Sequence, residues 1–305
     1  MLYPSYLNLS KKEFQKRIDS LFEILKNCEI CPRKCHINRQ KGEVGYCGLK
    51  VLPTVSSFGP HFGEEKILVG EGGSGTIFFT SCNLRCVYCQ NYEISQLRVG
   101  EEVSFEKLAD AMIYLQKIGC CNINLVTPTP QVPAIVKAIF LARQKGLKIP
   151  IVYNTNAYDS VEVLKLLDGI VDIYMPDFKY SDSGTAKKYS DAPDYFEAAK
   201  KAIKEMQRQV GDLVIENGIA KRGILIRHLV LPNNLAGSKK IFEFIAKEIS
   251  LNAYLHLMAQ YWPAFEANQF SELSRRITKR EYLEAIKWAR EKGLKRIETD
   301  RMFLI

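Results

Sequence analysis

Gly72-Gly73-Ser74-Gly75-Thr76-Ile77-Phe78-Phe79-Thr80-Ser81-Cys82-Asn83-Leu84-Arg85-Cys86-Val87-Tyr88-Cys89 carries the features from which the rest of the sequence can be understood. The glycines punctuate a loop, Thr76 to Thr80 form a short apolar run of strand type, and three cysteines follow at C-x3-C-x2-C spacing. Structural zinc sites normally use four ligands, and a fourth is missing nearby. A cubane iron–sulfur cluster needs one ligand per iron, so three thiolates would leave one iron open to a small molecule. A single short loop can wrap such a cluster while the preceding strand holds its start.

Outward from this stretch, strands and helices alternate. A helix is expected over 104–118, where Phe105, Leu108, Ala109, Met112 and Leu115 share one face. The pattern continues with strand 122–126, helix 132–145, strand 149–154, helix 160–168, strand 171–176 and helix 192–209. Strand 222–231, helix 238–249, strand 253–258 and a last helix over 279–292 complete it. Six β/α units imply parallel pairing through right-handed crossovers. Eight would close a full barrel, so the expectation is an α/β fold with a partial (β/α)6 barrel and its chemistry at the C-terminal strand ends. Those ends carry Cys82, then Thr127 and Thr129, then Asn154, Thr155 and Asn156, then Asp177 and Lys179, and finally Gln260 and Tyr261. Arg227 and His228 lie within the fifth strand, where alternation sends them to opposite faces.

C-x3-C-x2-C with an aromatic before the last cysteine resembles the radical S-adenosylmethionine (radical SAM) superfamily. More narrowly, the chain resembles the pyruvate formate-lyase activating enzyme branch and its PflX-type group. Gly73 to Phe79, Cys89-Gln90-Asn91, Asp172-Ile173-Tyr174-Met175-Pro176-Asp177-Phe178-Lys179 and Ala192-Pro193-Asp194-Tyr195 carry that closer likeness. The resemblance implies a [4Fe–4S] cluster on Cys82, Cys86 and Cys89, with S-adenosylmethionine on the open iron. It implies reductive cleavage of that cofactor, a 5′-deoxyadenosyl radical, hydrogen abstraction from a substrate, and an electron donor of the flavodoxin or ferredoxin type. Tyr88 would face the adenine. Lys179 would pair with the cofactor carboxylate and Asp177 would orient it. The residue of the Arg227–His228 pair that faces inward would also contact the cofactor.

Two departures stand out. The second strand typically ends Gly-Gly-Glu in the superfamily but reads Val126-Thr127-Pro128-Thr129-Pro130 here, so threonine hydroxyls and carbonyls would have to receive the cofactor ammonium. The third ends Asn154-Thr155-Asn156-Ala157 where activating enzymes carry an aspartate, which removes one charge from a monovalent-cation position. The resemblance points to an oxidoreductase of the activating-enzyme type, acting on a protein backbone glycine. Competing readings are a non-enzymatic metal-binding scaffold and a radical enzyme acting on RNA or a small molecule.

Residues 1–65 read as a Cys-rich extension to a barrel over 66–305. An amphipathic helix (about 10–26) precedes Cys28-x2-Cys31-Pro-x2-Cys35-x11-Cys47, after which glycines and prolines suggest loop to residue 60. Zinc and a second [4Fe–4S] cluster both fit four thiolates, and His36 is a possible substitute for one of them. Pro60-His61-Phe62-Gly63-Glu64-Glu65 bridges the two cysteine groups, either lining the active-site mouth or packing as a linker. Cys120 and Cys121 read as buried small residues, and His256 as core or rim.

Composition agrees with a globular enzyme. Of 305 residues 47% are hydrophobic and 25% charged, which argues against disorder. Nine cysteines in clusters suit metal binding better than disulfides. No apolar run approaches the roughly 20 residues of a membrane span, and Lys11, Lys12, Lys16 and Arg17 do not open a signal peptide; the cytoplasm is the expected compartment. The net charge of +9 is scattered along helices, so nucleic acid is not the expected partner.

Overall fold

The computed structural model describes residues 3–300 and Phe303. Helix α1 (Lys11–Ile24) opens on a capping box in which Ser10 and Glu13 exchange side-chain and backbone hydrogen bonds. It turns Phe14, Ile18 and Leu21 inward, and the Phe14 ring meets Phe140 at 5.3 Å. Beyond the first cysteine group lies a strand the sequence did not announce, β1 (Thr54–His61), followed by the short helix α2 (Lys66–Val69) and β2 (Ser74–Phe79). β1 runs antiparallel to β2, from Val55 opposite Phe79 to His61 opposite Ser74. Gly59 and Pro60 mask it as loop. Pro60 is tolerated because it sits where β1 has no second neighbour, an edge position.

After the second cysteine group, α3 (Tyr92–Ser95) leads to β3 (Glu101–Glu102), which pairs with the start of β1. The expected alternation then follows: α4 (Phe105–Lys117), β4 (Ile123–Val126), α5 (Val132–Gln144), β5 (Ile151–Thr155), α6 (Val161–Leu166) and β6 (Ile173–Pro176). Two helices stand where one was expected, α7 (Ser183–Ser190) and α8 (Tyr195–Val210). Asp191 takes a left-handed conformation between them, and Pro193 follows. A hairpin strand β7 (Val214–Glu216) folds onto β8 (Ile219–Leu229). Helix α9 (Ser238–Phe244) continues into a π-helical turn over Ile245–Ile249, before β9 (Tyr254–Met258). Last come α10 (Lys279–Glu291) and β10 (Arg296–Thr299).

β2, β4, β5, β6, β8, β9 and β10 are neighbours in that order and pair in parallel. The fold is the partial α/β barrel expected, with β10 as an added parallel strand at its far edge. One core joins Tyr6, Phe14 and Leu21 of the N-terminal segment to barrel residues. A smaller core lies inside the barrel, where Leu68 of α2, fully buried, packs with Val152, Ile173, Met175 and Leu225. Among the described residues no helix is long and apolar enough to cross a membrane.

Candidate active site

β2 ends at a sharp turn through Ser81, whose φ is +74°, and this aims Cys82 over the barrel. The loop that follows is tied down by backbone bonds from Arg85 and Val87 to the carbonyls of Ser190 and Tyr189 (3.1 and 2.9 Å). Each sulfur has a polar neighbour. Cys82 Sγ accepts from the Leu84 amide at 3.4 Å and from Asn156 Nδ2 at 3.2 Å. Ser190 Oγ donates to Cys86 Sγ at 3.0 Å, and Ser95 Oγ lies 3.0 Å from Cys89 Sγ. Burial pushes the Cys86 thiol up to about 12 against the pull of the Lys179 ammonium. Metal binding removes that proton, after which the same donors stabilise the thiolates. Three thiols on one loop, each with a polar neighbour, suit a cubane with one open iron.

The three cysteines open into a cavity of about 360 Å³ that Tyr88, Thr127, Asn154, Thr155 and Asn156 also line. Its wall holds a compact charge network. Asp177 accepts from Arg227 Nε at 2.8 Å and from Lys179 Nζ at 2.9 Å, and Arg227 donates a second bond to Asn154 Oδ1 at 2.8 Å. Burial opposes the charge on Asp177, but Arg227 and Lys179 outweigh it and hold the carboxyl at about 2. Burial likewise works against Lys179, and Asp177 with the Cys86 sulfur more than compensates, so its pKa is raised. Glu64 Oε2 adds a second carboxylate 3.4 Å from Arg227 Nη1, so the charges of the network balance, and Lys179 and Arg227 offer the cavity charged N–H donors for a ligand carboxylate.

Other expected site residues lie elsewhere. Thr129 is buried outside the cavity and donates to Asp159 at 2.8 Å; Thr155 donates to the same carboxylate at 2.6 Å and Tyr153 at 2.9 Å. Asp159 thus braces two strand ends from behind. His228 is fully buried on the outer face of β8, its ring nitrogens 2.7 Å from the Phe178 carbonyl and 2.8 Å from Ser238 Oγ. Burial lowers its pKa to about 4, so it is neutral at ordinary pH. Arg227 is the member of that pair that reaches the cavity. Tyr88 is boxed by Tyr180 and Tyr261 at 6.3 and 5.8 Å between ring centres.

The N-terminal cysteines lie directly behind this loop. Ser81 Oγ donates to the Cys47 carbonyl at 2.5 Å, Arg33 to the Asn83 carbonyl at 2.9 Å, and Arg85 to the Tyr46 carbonyl at 2.6 Å. Cys28 and Cys31 are buried, Cys35 and Cys47 half-buried, and all are free thiols. Burial pushes Cys31 up to about 12, and the nearby Cys47 and Cys28 thiols act in the same direction. Among the described residues no three His, Cys, Asp or Glu side chains close on a position for a single ion.

The sequence reading passed over several residues. Ser95, Ser190 and Asn83 support the cysteine loop, but nothing in their spacing marks them. Of the two readings of residues 60–65, active-site mouth or linker, the first describes His61, Gly63 and Glu64, which line the cavity because β1 carries the chain down beside β2 and then under it.

A family model described as the Radical SAM superfamily matches residues 76–219. The chain is 33% identical over 287 residues to uncharacterized protein MJ0674 of Methanocaldococcus jannaschii, an alignment covering 91% of this chain and 78% of that protein. To uncharacterized protein MJ0808 of the same organism it is 27% identical over 255 residues, 75% of this chain and 68% of that one. A crystal structure of HydG, a maturase of the [FeFe]-hydrogenase, aligns with 97% of this chain and 59% of its own length, at TM-score 0.50 and 11% identity. At that identity the likeness concerns the fold.

Proposed function

The chain belongs to the radical SAM superfamily, and from that premise we propose that Cys82, Cys86 and Cys89 hold the [4Fe–4S] cluster the family implies and that S-adenosylmethionine binds in the adjoining cavity. When bound, the cluster supplies the electron that reductively cleaves S-adenosylmethionine to methionine and a 5′-deoxyadenosyl radical, which takes a hydrogen atom from the substrate. The chain's own residues bind and orient. Lys179 and Arg227 receive the cofactor carboxylate, and Asp177 fixes the direction of both cations. Thr127, Asn154, Thr155 and Asn156 supply hydrogen-bonding groups at the strand ends, and Tyr88 gives the loop a rigid aromatic wall. Thr129 and His228 act through packing. On this reading the protein is an oxidoreductase, with the electron coming from an external donor.

The observation that carries the proposal is the opening of three thiols from one loop beside a buried Asp177–Lys179–Arg227 network. Anaerobic reconstitution with iron and sulfide, then dithionite and S-adenosylmethionine, tests it. About four iron atoms and formation of 5′-deoxyadenosine are expected at this site, both lost on Cys82→Ala, Cys86→Ala or Cys89→Ala. A loaded cluster that yields no 5′-deoxyadenosine would leave a metal-binding scaffold instead.

Cys28, Cys31, Cys35 and Cys47 are proposed to share a second metal centre, zinc or iron–sulfur. Metal analysis of the reconstituted chain that found one cluster's iron and no zinc would eliminate it. The activase reading rests on the sequence likeness of residues 73–79, 89–91, 172–179 and 192–195.

A further inference from the structure

Residues 61–69 cross the inside of the barrel, with Leu68 sealing it behind them. Glu64 lines the cavity from this segment, with its side chain 9% exposed. Its carboxylate is held only by long contacts: Arg227 Nη1 donates to Oε2 at 3.4 Å, and His61 Nδ1 lies 3.8 Å from Oε1. Arg227 makes its shorter bonds to Asp177 and Asn154. The next residue is clamped, since His256 Nδ1 sits 2.7 Å from Glu65 Oε1 and His256 Nε2 sits 3.1 Å from Asp300. Glu64 is therefore held at the cavity by a fixed backbone.

A second set of observations points the same way. Asn124 is fully buried, and neither Oδ1 nor Nδ2 has a partner. It lies two residues before Val126 on β4 and so shares its face, and Val126 lines the cavity. Glu65 Oε2 and His61 Nδ1 are also buried without partners. Unpartnered buried polar groups are rare in folded proteins; here His61 lines the cavity, and Asn124 and Glu65 lie next to its lining residues Val126 and Glu64, where a hydrogen-bonding ligand would satisfy them. They lie near a carboxylate whose cation, Arg227, makes its shorter bonds to Asp177 and Asn154.

We propose that Glu64 receives an ammonium group inside the barrel, and that the substrate is a small amine-bearing molecule seated between this segment and S-adenosylmethionine. The proposal rests on the assignment of the cavity to that cofactor. A backbone glycine of a protein target brings no such cation. The cofactor's own α-ammonium is the other source of the same chemistry, because residues 126–130 offer it no carboxylate.

The test uses the full chain with its cluster reconstituted and kept oxidised, so that nothing turns over. Calorimetric titration with L-lysine, putrescine and agmatine, in the presence of S-adenosylmethionine, is compared between wild type, Glu64→Gln and Glu64→Asp. At least one amine is expected to bind the wild type. Glu64→Gln should weaken it about ten-fold or more, as loss of a charged hydrogen bond does. Glu64→Asp, which withdraws the carboxylate, should weaken it several-fold and serves if the glutamine variant does not fold. S-Adenosylmethionine affinity should stay within about two-fold, well short of the loss that follows from removing a charged hydrogen bond. The proposal is overturned if no amine binds or if binding ignores both substitutions. It is equally overturned if S-adenosylmethionine affinity falls while the amines are unmoved, which would assign the ammonium to the cofactor. Reductive cleavage by the wild type is measured in parallel: cleavage without amine binding removes this inference alone, whereas no cleavage removes the cofactor assignment beneath it.

Discussion

His256→Gln should cost stability at pH 6 and much less at pH 9.5. The imidazole sits between Glu65, whose side chain is 2% exposed, and Asp300. Burial opposes its charge, but the two carboxylates raise its pKa from 6.5 to about 9. Because the folded state holds the proton more tightly, the contribution is complete below pH 6.5 and disappears as pH rises toward 9. The difference, at about 1.36 kcal/mol per pH unit, amounts to about 3 kcal/mol. Spread over the unfolding entropy of a chain this long, that is about 5 °C in melting temperature. Scanning fluorimetry of both proteins from pH 6 to 9.5 reads the effect as a gap that narrows with pH. A gap that is constant or widens would mean that His256 is neutral in the folded protein and that Glu65 is held by something else.

Leu68→Ala should destabilise by about 2–5 kcal/mol, the range for truncating a fully buried leucine, read as a drop in urea midpoint. Asp177→Asn should lower S-adenosylmethionine affinity about ten-fold or more by leaving Arg227 and Lys179 without their shared partner, measured by equilibrium dialysis. The wild-type carboxyl titrates at about 2, so its stabilising effect is present above pH 3.8 and is lost only as pH falls toward 2; binding should be flat from pH 5 to 8 as far as this group is concerned. Asn156→Ala removes a donor from Cys82 and should move the midpoint potential of the reconstituted cluster to more negative values, followed by a redox titration.

The catalytic half of this fold was legible because its signals are local. A C-x3-C-x2-C run after a strand needs no knowledge of distant residues, and six parallel strands were readable from apolar runs such as Ile224 to Leu231. Strand alternation separated Arg227 from His228 but could not say which faced inward, since both sit among apolar neighbours. β1 was hidden because Gly59 and Pro60 read as punctuation, and its strand character comes from pairing with β2. Thr129 looked like a site residue from its place at a strand end. A 3-10 turn over Thr129–Gln131 rotates it toward Asp159, and nothing in one sequence ties residue 129 to residue 159. Residues 60–65 could be read only as a choice between active-site mouth and linker, because the strand that carries Glu64 to the cavity was hidden.

The course of residues 54–69 also bears on how this protein can be engineered. Many barrels tolerate exchange of their terminal extensions because the extension only covers an end. Here the N-terminal segment supplies β1 along the edge of β2, Leu68 in the barrel interior and Glu64 in the cavity wall. A truncated chain starting at residue 66 would lose Glu64 from the cavity wall together with the strand that shields β2. A graft of this barrel onto another N-terminus would inherit the cysteine loop but not its Ser81–Cys47 and Asn83–Arg33 supports. The transplantable unit includes the segment before the first helix as well, since Tyr6 belongs to the same core as the barrel.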